Sequence, residues 1–503
     1  MDKSRSERMP LFAHTGELHG PDIQSDKASH DNGSVGLLSE ASSDEPIRIS
    51  EADQEKKLSV ASTVFFIMTG VMLTLPLPQA FHQAGLISGI LIMVAIAGCV
   101  SYQAVAIGRC WLILTEKWPE KYGHDILIRR PYPSIAYEAT GWRWLFYVCE
   151  GGINFTNFGV GLVDLLIAAQ SLHCTLLPHV KLNIKEWLMI VTVVMWPLVL
   201  LGAPMESWIV GWVGGFGCLI ASFLLIVALA VASAGGGAMS GDPIVGVTEY
   251  FEDMTSTSAS VFENASAAMT SVFENATTAL PHGCTSDAGY TDTINFESFG
   301  IGFSTLLFAF AGLSLFPTFQ HDMKEPRKWW KAALSAYGLI CSFSIVTAIL
   351  GYTTYRGTTR GNILDNIVEP QAASILAKIT SAIFVMVYLA NGVVAFIPVT
   401  ADIEEAFELK KKFSVFHFLI RTVTLWAAFG LAAVKPEFED YIPLVGSTAI
   451  ALNNFIFPAW FHLALNRQNL QLHEITLNCI ILGLGVIGVV AGTYASILGV
   501  IDG

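Results

Sequence analysis

The residue patterns best suited to chemistry in this chain are two matched interruptions of apolar runs. One reads Ser62-Thr63, Gly70, Leu75-Pro76, and the other Ser304-Thr305, Gly312, Phe316-Pro317; Gly follows Ser by eight positions in both, and Pro by fourteen and thirteen. Glycine weakens a helix and proline removes a helical N–H, so each run predicts a helix broken near its middle. A break leaves backbone N–H and C=O groups without intrahelical partners, at half-helix ends that carry partial charge. Such groups can hold a small zwitterion, with N–H groups toward its carboxylate and free carbonyls toward its ammonium. The predicted binding segments are Thr69-Gly70-Val71 and Ala311-Gly312-Leu313, with Thr74 and Ser314 adding hydroxyls and Phe308 and Phe310 lining the apolar side. Glycines at these places would also allow close helix packing, the simpler alternative.

A second candidate is a lone carboxyl. Glu150 lies eight residues after Trp142 in an apolar run, with Asn154 and Asn157 following on the same predicted helix. An ionisable side chain inside a membrane helix is costly and so points to function, which makes Glu150 the predicted proton-coupling residue. The alternative is a static partner for Arg143 or Asn154. Asp164 and Lys378 fall nearer the outer side, at a vestibule or interface. No nucleophile and base pair appears at midspan, so an enzyme is not expected. No cysteine or histidine spacing suggests a metal site, and no cofactor is expected beyond a coupling ion.

These residues need a membrane scaffold, and the composition supplies one. The 503 residues are 53% hydrophobic and 14% charged, with a mean hydropathy of +0.53. Soluble domains run near one quarter charged, so the chain reads as an all-α integral membrane protein. Its net charge of -14 excludes a nucleic-acid partner. Apolar stretches long enough for the hydrocarbon core predict eleven helices near 58–80, 86–112, 144–170, 185–203, 207–234, 297–320, 332–353, 372–400, 415–434, 441–463 and 473–499. The weakest separation is between the fourth and fifth, where Pro204 and Glu206 form the natural break. Residues 1–57, rich in Ser, Asp, Glu and Gly, read as a disordered cytosolic tail without a cleavable signal. The transporter-type domain is then 58–499: a first repeat 58–234, an outside loop 235–296, a second repeat 297–463 and an extra helix 473–499. Broken helices at the starts of two five-helix halves are the expected trace of an inverted repeat.

Lysine and arginine set the orientation. With the tail inside, cytosolic segments collect Lys117, Lys121, Arg129, Arg130 and Arg143, then Lys324, Arg327, Lys328 and Lys331, then Lys410 to Lys412 and Arg467. The opposite loops hold only Lys181, Lys185, Arg356, Arg360 and Lys435. This asymmetry predicts a cytosolic N-terminus and an extracellular or lumenal C-terminus. Asn264-Ala265-Ser266 and Asn275-Ala276-Thr277 are glycosylation acceptors in the long outside loop. They belong to a short local duplication, since Ser260 to Ala265 recurs as Ser271 to Ala276. Only Cys174 and Cys284 of the eight cysteines lie in outside loops, so a bond between them is the economical pairing.

At this point the chain resembles a known family. Thr69-Gly70-Val71-Met72-Leu73-Thr74-Leu75-Pro76-Leu77-Pro78-Gln79-Ala80-Phe81, then Gln83-Ala84-Gly85, is similar to the first-helix signature of the amino acid/auxin permease family. That family includes proton-coupled amino-acid transporters and the vesicular inhibitory amino-acid transporter. Phe308-Ala309-Phe310-Ala311-Gly312, Pro317 and Met323-Lys324-Glu325-Pro326 resemble its sixth helix and following turn. Asp365-Asn366 and Gly446-Ser447-Thr448 through Pro458-Ala459 look alike as well. The resemblance covers about 58–499. It implies eleven helices in the leucine-transporter-like inverted-repeat fold, a disulfide between the loops holding Cys174 and Cys284, and a small amino acid as substrate. Sodium-coupled relatives place hydroxyl ligands in the eighth helix; no adjacent Ser/Thr pair stands near Asn391-Gly392, which favours protons.

The expected function is therefore secondary active transport of small amino acids coupled to protons. The alternatives are a vesicular GABA- or glycine-type carrier and an amino-acid-sensing receptor on the same fold. A channel would need a charged or polar ring along a pore, and no predicted helix carries periodic charge.

Overall fold

A computed structural model describes residues 57–502, apart from 72–73, 127, 129, 202–206, 235–295, 369, 408, 410–413 and 469. The predicted tail up to residue 56, the outside loop with Asn264, Asn275 and Cys284, and the Pro204 break therefore lie outside the described residues.

Uninterrupted apolar sequence has one economical solution in a bilayer, the α-helix, which satisfies every backbone polar group within the segment. The chain follows it. The helices are α1 (Val60–Val71), α2 (Leu77–Ala84), α3 (Leu86–Lys117), the short α4 (Pro119–Tyr122), α5 (Pro131–Thr140), α6 (Arg143–Gln170), α7 (Ile184–Leu201) and α8 (Ser207–Ala234). There follow α9 (Phe296–Phe308), α10 (Phe316–His321), α11 (Trp329–Tyr355), α12 (Gln371–Ala406), α13 (Val415–Val434), α14 (Phe438–Val445), α15 (Phe457–Leu465) and α16 (Leu472–Asp502). An isolated parallel β-bridge joins Leu58 and Met323.

Nine helical segments among the described residues are long and apolar enough to cross a membrane. They match nine of the predicted spans, from 86–112 to 473–499. The predicted span 185–203 is the helix Ile184–Leu201. The span 58–80 is not continuous: α1 is twelve residues long and α2 eight, on either side of an interruption. The span 441–463 is helical throughout, but winds through two π-helical stretches, Gly446–Ile450 and Leu452–Ile456, between α14 and α15.

Two apolar cores hold the bundle. One gathers Ile67, Phe81, Ile107, Phe310, Phe316 and Tyr337 from α1, α2, α3, α10, α11 and the turn after α9. The other gathers Leu166, Leu188, Leu225, Phe308, Phe384 and Leu425 from α6 to α9, α12 and α13. The segment around the end of α9 belongs to both. Outward, large side chains such as Ile87, Tyr147, Ile487 and Val490 stand exposed, as a lipid-facing surface requires.

Candidate functional site

Both predicted interruptions occur. α1 ends at Val71, Leu75 and Pro76 form a turn, and α2 begins at Leu77 with prolines at its start, where a missing N–H costs nothing. At the end of α9 the four-residue hydrogen-bond step gives way to three-residue steps: Phe310 N donates to Leu307 O at 3.2 Å and Ala311 N to Phe308 O at 3.1 Å. Gly312 then takes φ +95° before a 3-10 turn, Leu313–Leu315, restarts the helix as α10. A side chain at that left-handed position would cost about 1–2 kcal/mol, so the glycine is what makes the break cheap.

The π-helical stretches between α14 and α15 close around this break. A π turn inserts an extra residue and rotates the side chains that follow, here aiming two adjacent amides inward. Asn454 Nδ2 donates to the Phe310 carbonyl at 2.7 Å. Asn453 Nδ2 donates to Thr156 Oγ1 on α6 at 3.1 Å, and the Tyr132 hydroxyl of α5 donates to the Asn453 carbonyl at 2.7 Å. Gly446 makes the approach possible: a β-carbon there would stand 2.2 Å from the Ser304 carbonyl oxygen of α9.

The residues expected to bind substrate distribute unevenly around the breaks. Gly70 and Val71 end α1, and Ala311 and Gly312 occupy the break after α9. Thr74 is fully buried, with its hydroxyl unpartnered among the described residues. Ser314 is buried in the 3-10 turn. Thr69 turns aside: its hydroxyl donates to Phe65 O at 2.9 Å, and its methyl fills the space where Gly214 of α8 has no side chain. Phe308 and Phe310 do not line one wall. Phe308 joins Leu75, Val445 and Ile450, whereas Phe310 packs 6.1 Å from the Tyr337 ring in the other core.

Hydrogen bonds close over the breaks from both ends. At the end where the described chain begins, Leu58 N donates to Asp322 O at 2.8 Å and Lys324 N to Leu58 O at 2.9 Å, clasping the start of α1 to the end of α10. Lys57 Nζ donates to the His124 carbonyl at 2.7 Å. Burial pushes the Asp322 carboxyl up to about 6, opposed by Lys57, and burial lowers the Lys57 amine and the His124 ring. At the other end, Ile363 N reaches the Leu75 carbonyl at 3.4 Å. Gln79 of α2 donates to Glu439 of α14 at 2.8 Å, and Thr175 donates to Asp365. Burial pushes Asp365 up to about 7, against the pull of the Thr175 hydroxyl and the Arg360 charge.

Glu150 has a partner that sequence reasoning did not name. Arg130, just before α5, places Nη1 at 2.7 Å from Glu150 and Nη2 at 3.2 Å from Asp402 and 3.0 Å from Glu405. Asn154 Nδ2 donates to Asp402 at 2.8 Å. One guanidinium thus serves three carboxylates. Asp164, expected at a vestibule or interface, is 4% exposed and accepts from Asn391 Nδ2 of α12 at 2.7 Å. Asn453, Asn454 and Asp402 were missed. Adjacent amides in an apolar run were a visible signal, but nothing local said which way they face. Cys99, Cys110, Cys149, Cys218, Cys341 and Cys479 are free thiols; Cys174 is not among them, and Cys284 lies outside the described residues.

Comparisons with known proteins bear on this arrangement. The sequence model described as "transmembrane amino acid transporter protein" matches residues 56–498. Among similar proteins, amino acid transporter AVT3A of Arabidopsis thaliana is 25% identical over 199 residues, 40% of this chain and 45% of that protein. Amino acid transporter ANT1 of the same plant is 28% identical over 214 residues, 39% of this chain and 48% of that protein. The chain thus spans a little under half the length of these relatives. Among solved structures, MhsT in complex with L-phenylalanine superposes with a TM-score of 0.52 at 12% identity, over 90% of this chain and 100% of that one. That likeness shows a shared leucine-transporter-like fold.

Proposed function

The chain belongs to the family of transmembrane amino acid transporter proteins, and from that premise we propose that it is a secondary active carrier of small amino acids coupled to protons. The observation that carries the reading is the pair of broken helices, enclosed from both ends. An amino acid seated there meets helix-end N–H groups and carbonyls of opposite polarity, so its two charges are neutralised without a dedicated ion pair. Alternating access follows if the Leu58–Met323 clasp and the Ile363–Leu75 contact open in turn.

Glu150 is assigned a part in proton handling. It shares Arg130 with two other carboxylates, so a proton on Glu150 releases one of the ties between α6 and the segment before α5. The basic-residue asymmetry and the paired sequons support a cytosolic N-terminus and a lumenal or extracellular C-terminus. In that orientation Cys174 and Cys284 lie in an oxidising compartment, and we assign them a disulfide.

The test is uptake of a panel of radiolabelled alanine, glycine, proline and GABA into proteoliposomes under an imposed pH gradient, with and without sodium. Accumulation driven by the pH gradient in sodium-free buffer is the expected result. Uptake that requires sodium and ignores pH refutes proton coupling. A purified protein that binds amino acids but moves none of them favours the sensing receptor.

A further inference from the structure

A polar seam runs between α6 and α12. On α6, Glu150, Asn154, Asn157, Gly161 and Asp164 recur at steps of four, three, four and three, which places them on one helical face. α12 runs antiparallel against that face. Asp402 takes the Asn154 amide, Phe396 fills the space beside Gly161, and Asn391 with Gly392 receives Asp164. The two acids at the ends of this stripe stand fourteen residues apart, ~21 Å along the axis.

Asp164 sits where a charge has little company. Asn391 lies near the middle of the 36-residue α12, and its amide is the hydrogen-bond partner of the carboxyl. Gly392 makes room for it: a β-carbon there would stand 3.3 Å from Asp164 Cβ. The titratable groups facing it are the Cys218 thiol of α8 and the Tyr388 hydroxyl of α12, both neutral near pH 7 in their ordinary range, while α7 contributes Met195. No cationic side chain faces it among the described residues. Two further polar groups point to an unfilled role. Among the described residues, Asn157 is 8% exposed with an unpartnered Nδ2, and Tyr388 is 4% exposed with an unpartnered hydroxyl. At the other end of the stripe, Arg130 and Glu405 line a cavity of about 360 Å³.

We infer that Asp164, held by Asn391, is a proton-binding site inside the bundle, at the opposite end of the α6–α12 seam from Arg130. Loading converts the carboxylate to a neutral carboxylic acid, and release returns the same proton. A buried carboxylate without a cation is costly in the membrane interior, so the carrier reorients readily only with Asp164 neutral. Glu150 then acts beside Arg130 at one end of the seam and Asp164 at the other. The inference rests on the proton-coupled reading.

The experiment compares the wild type, Asp164→Asn and the swapped pair Asp164→Asn with Asn391→Asp, in sodium-free proteoliposomes loaded with a pH dye. The probe is whichever panel amino acid the wild type carries. With one proton per substrate, a gradient of one pH unit drives about tenfold accumulation in the wild type. Asp164→Asn should still exchange labelled for unlabelled amino acid, yet show no accumulation and no substrate-evoked pH change. The swapped pair should regain both. Tenfold accumulation by Asp164→Asn overturns the inference alone. If Asp164→Asn is inactive in exchange as well, the swapped pair decides: gradient-driven accumulation supports the site, and its absence overturns it. A wild type indifferent to the gradient overturns the reading and the inference together.

Discussion

Replacing Asp365 with Asn should change how stability depends on pH, and the size of the change follows from its surroundings. Asp365 is 5% exposed, in the segment between α11 and α12, beside Thr175 and Asn362. Its folded value of about 7 lies above the ordinary 3.8. Folded protein therefore holds a proton that unfolded protein has lost, and the group's contribution is full below about pH 4 and vanishes as pH rises through 7. The whole difference amounts to roughly 4 kcal/mol, of which about 3 is lost between pH 5 and pH 8. An amide in the same place cannot ionise, so this contribution disappears from the variant. Thermal unfolding in detergent, followed at pH 5, 6, 7 and 8, measures it. The wild type should lose stability relative to Asp365→Asn as pH rises, and the variant should be the more stable at pH 8. Other buried acids, such as Asp322 at about 6, titrate in both proteins and cancel in the comparison. Parallel pH profiles for the two proteins would refute the argument.

Gly446→Ala should destabilise the protein by about 1–3 kcal/mol, because the new methyl meets the Ser304 backbone carbonyl, which cannot turn away; Gly430→Ala, with open space around it on α13, is the control and should be neutral or slightly stabilising in the same thermal assay. Glu150→Gln should retain amino-acid exchange and lose acceleration by a pH gradient, and a normal gradient response would leave Glu150 a structural partner of Arg130. Endoglycosidase should shift the gel mobility of protein from a glycosylating host, and the double substitution of Asn264 and Asn275 should abolish that shift. Peptide mapping without reductant should recover Cys174 joined to Cys284; recovery of both as free thiols refutes the pairing.

The membrane class, most helix positions and the two breaks were legible in the sequence because each is a local property. An apolar run of sufficient length must be helical in lipid, and Gly with a following Pro weakens a helix locally, although α12 carries Gly392 and Pro398 without breaking. Ser62 to Pro76 and Ser304 to Pro317 stood out because the same pattern occurs twice. Glu150 was equally visible as a lone acid, but its environment was not. Its cation is Arg130, twenty positions upstream and off the helix, brought there by the way α5 folds back onto α6. The π-helical stretches between α14 and α15 were invisible because the π turn depends on packing against α9 and α16 rather than on composition. Their consequence, Asn454 reaching the Phe310 carbonyl, joins residues 144 positions apart. The split of Phe308 and Phe310 between two cores was decided in the same way, since neighbours in sequence at a helix break need not share a face. Spacing along one helix placed Glu150, Asn154, Asn157 and Asp164 on a common face, but only the antiparallel docking of α12 made that face a seam with Asp402 at one end and Asn391 at the other. One-dimensional periodicity specifies which residues share a surface, and tertiary contact specifies what that surface meets.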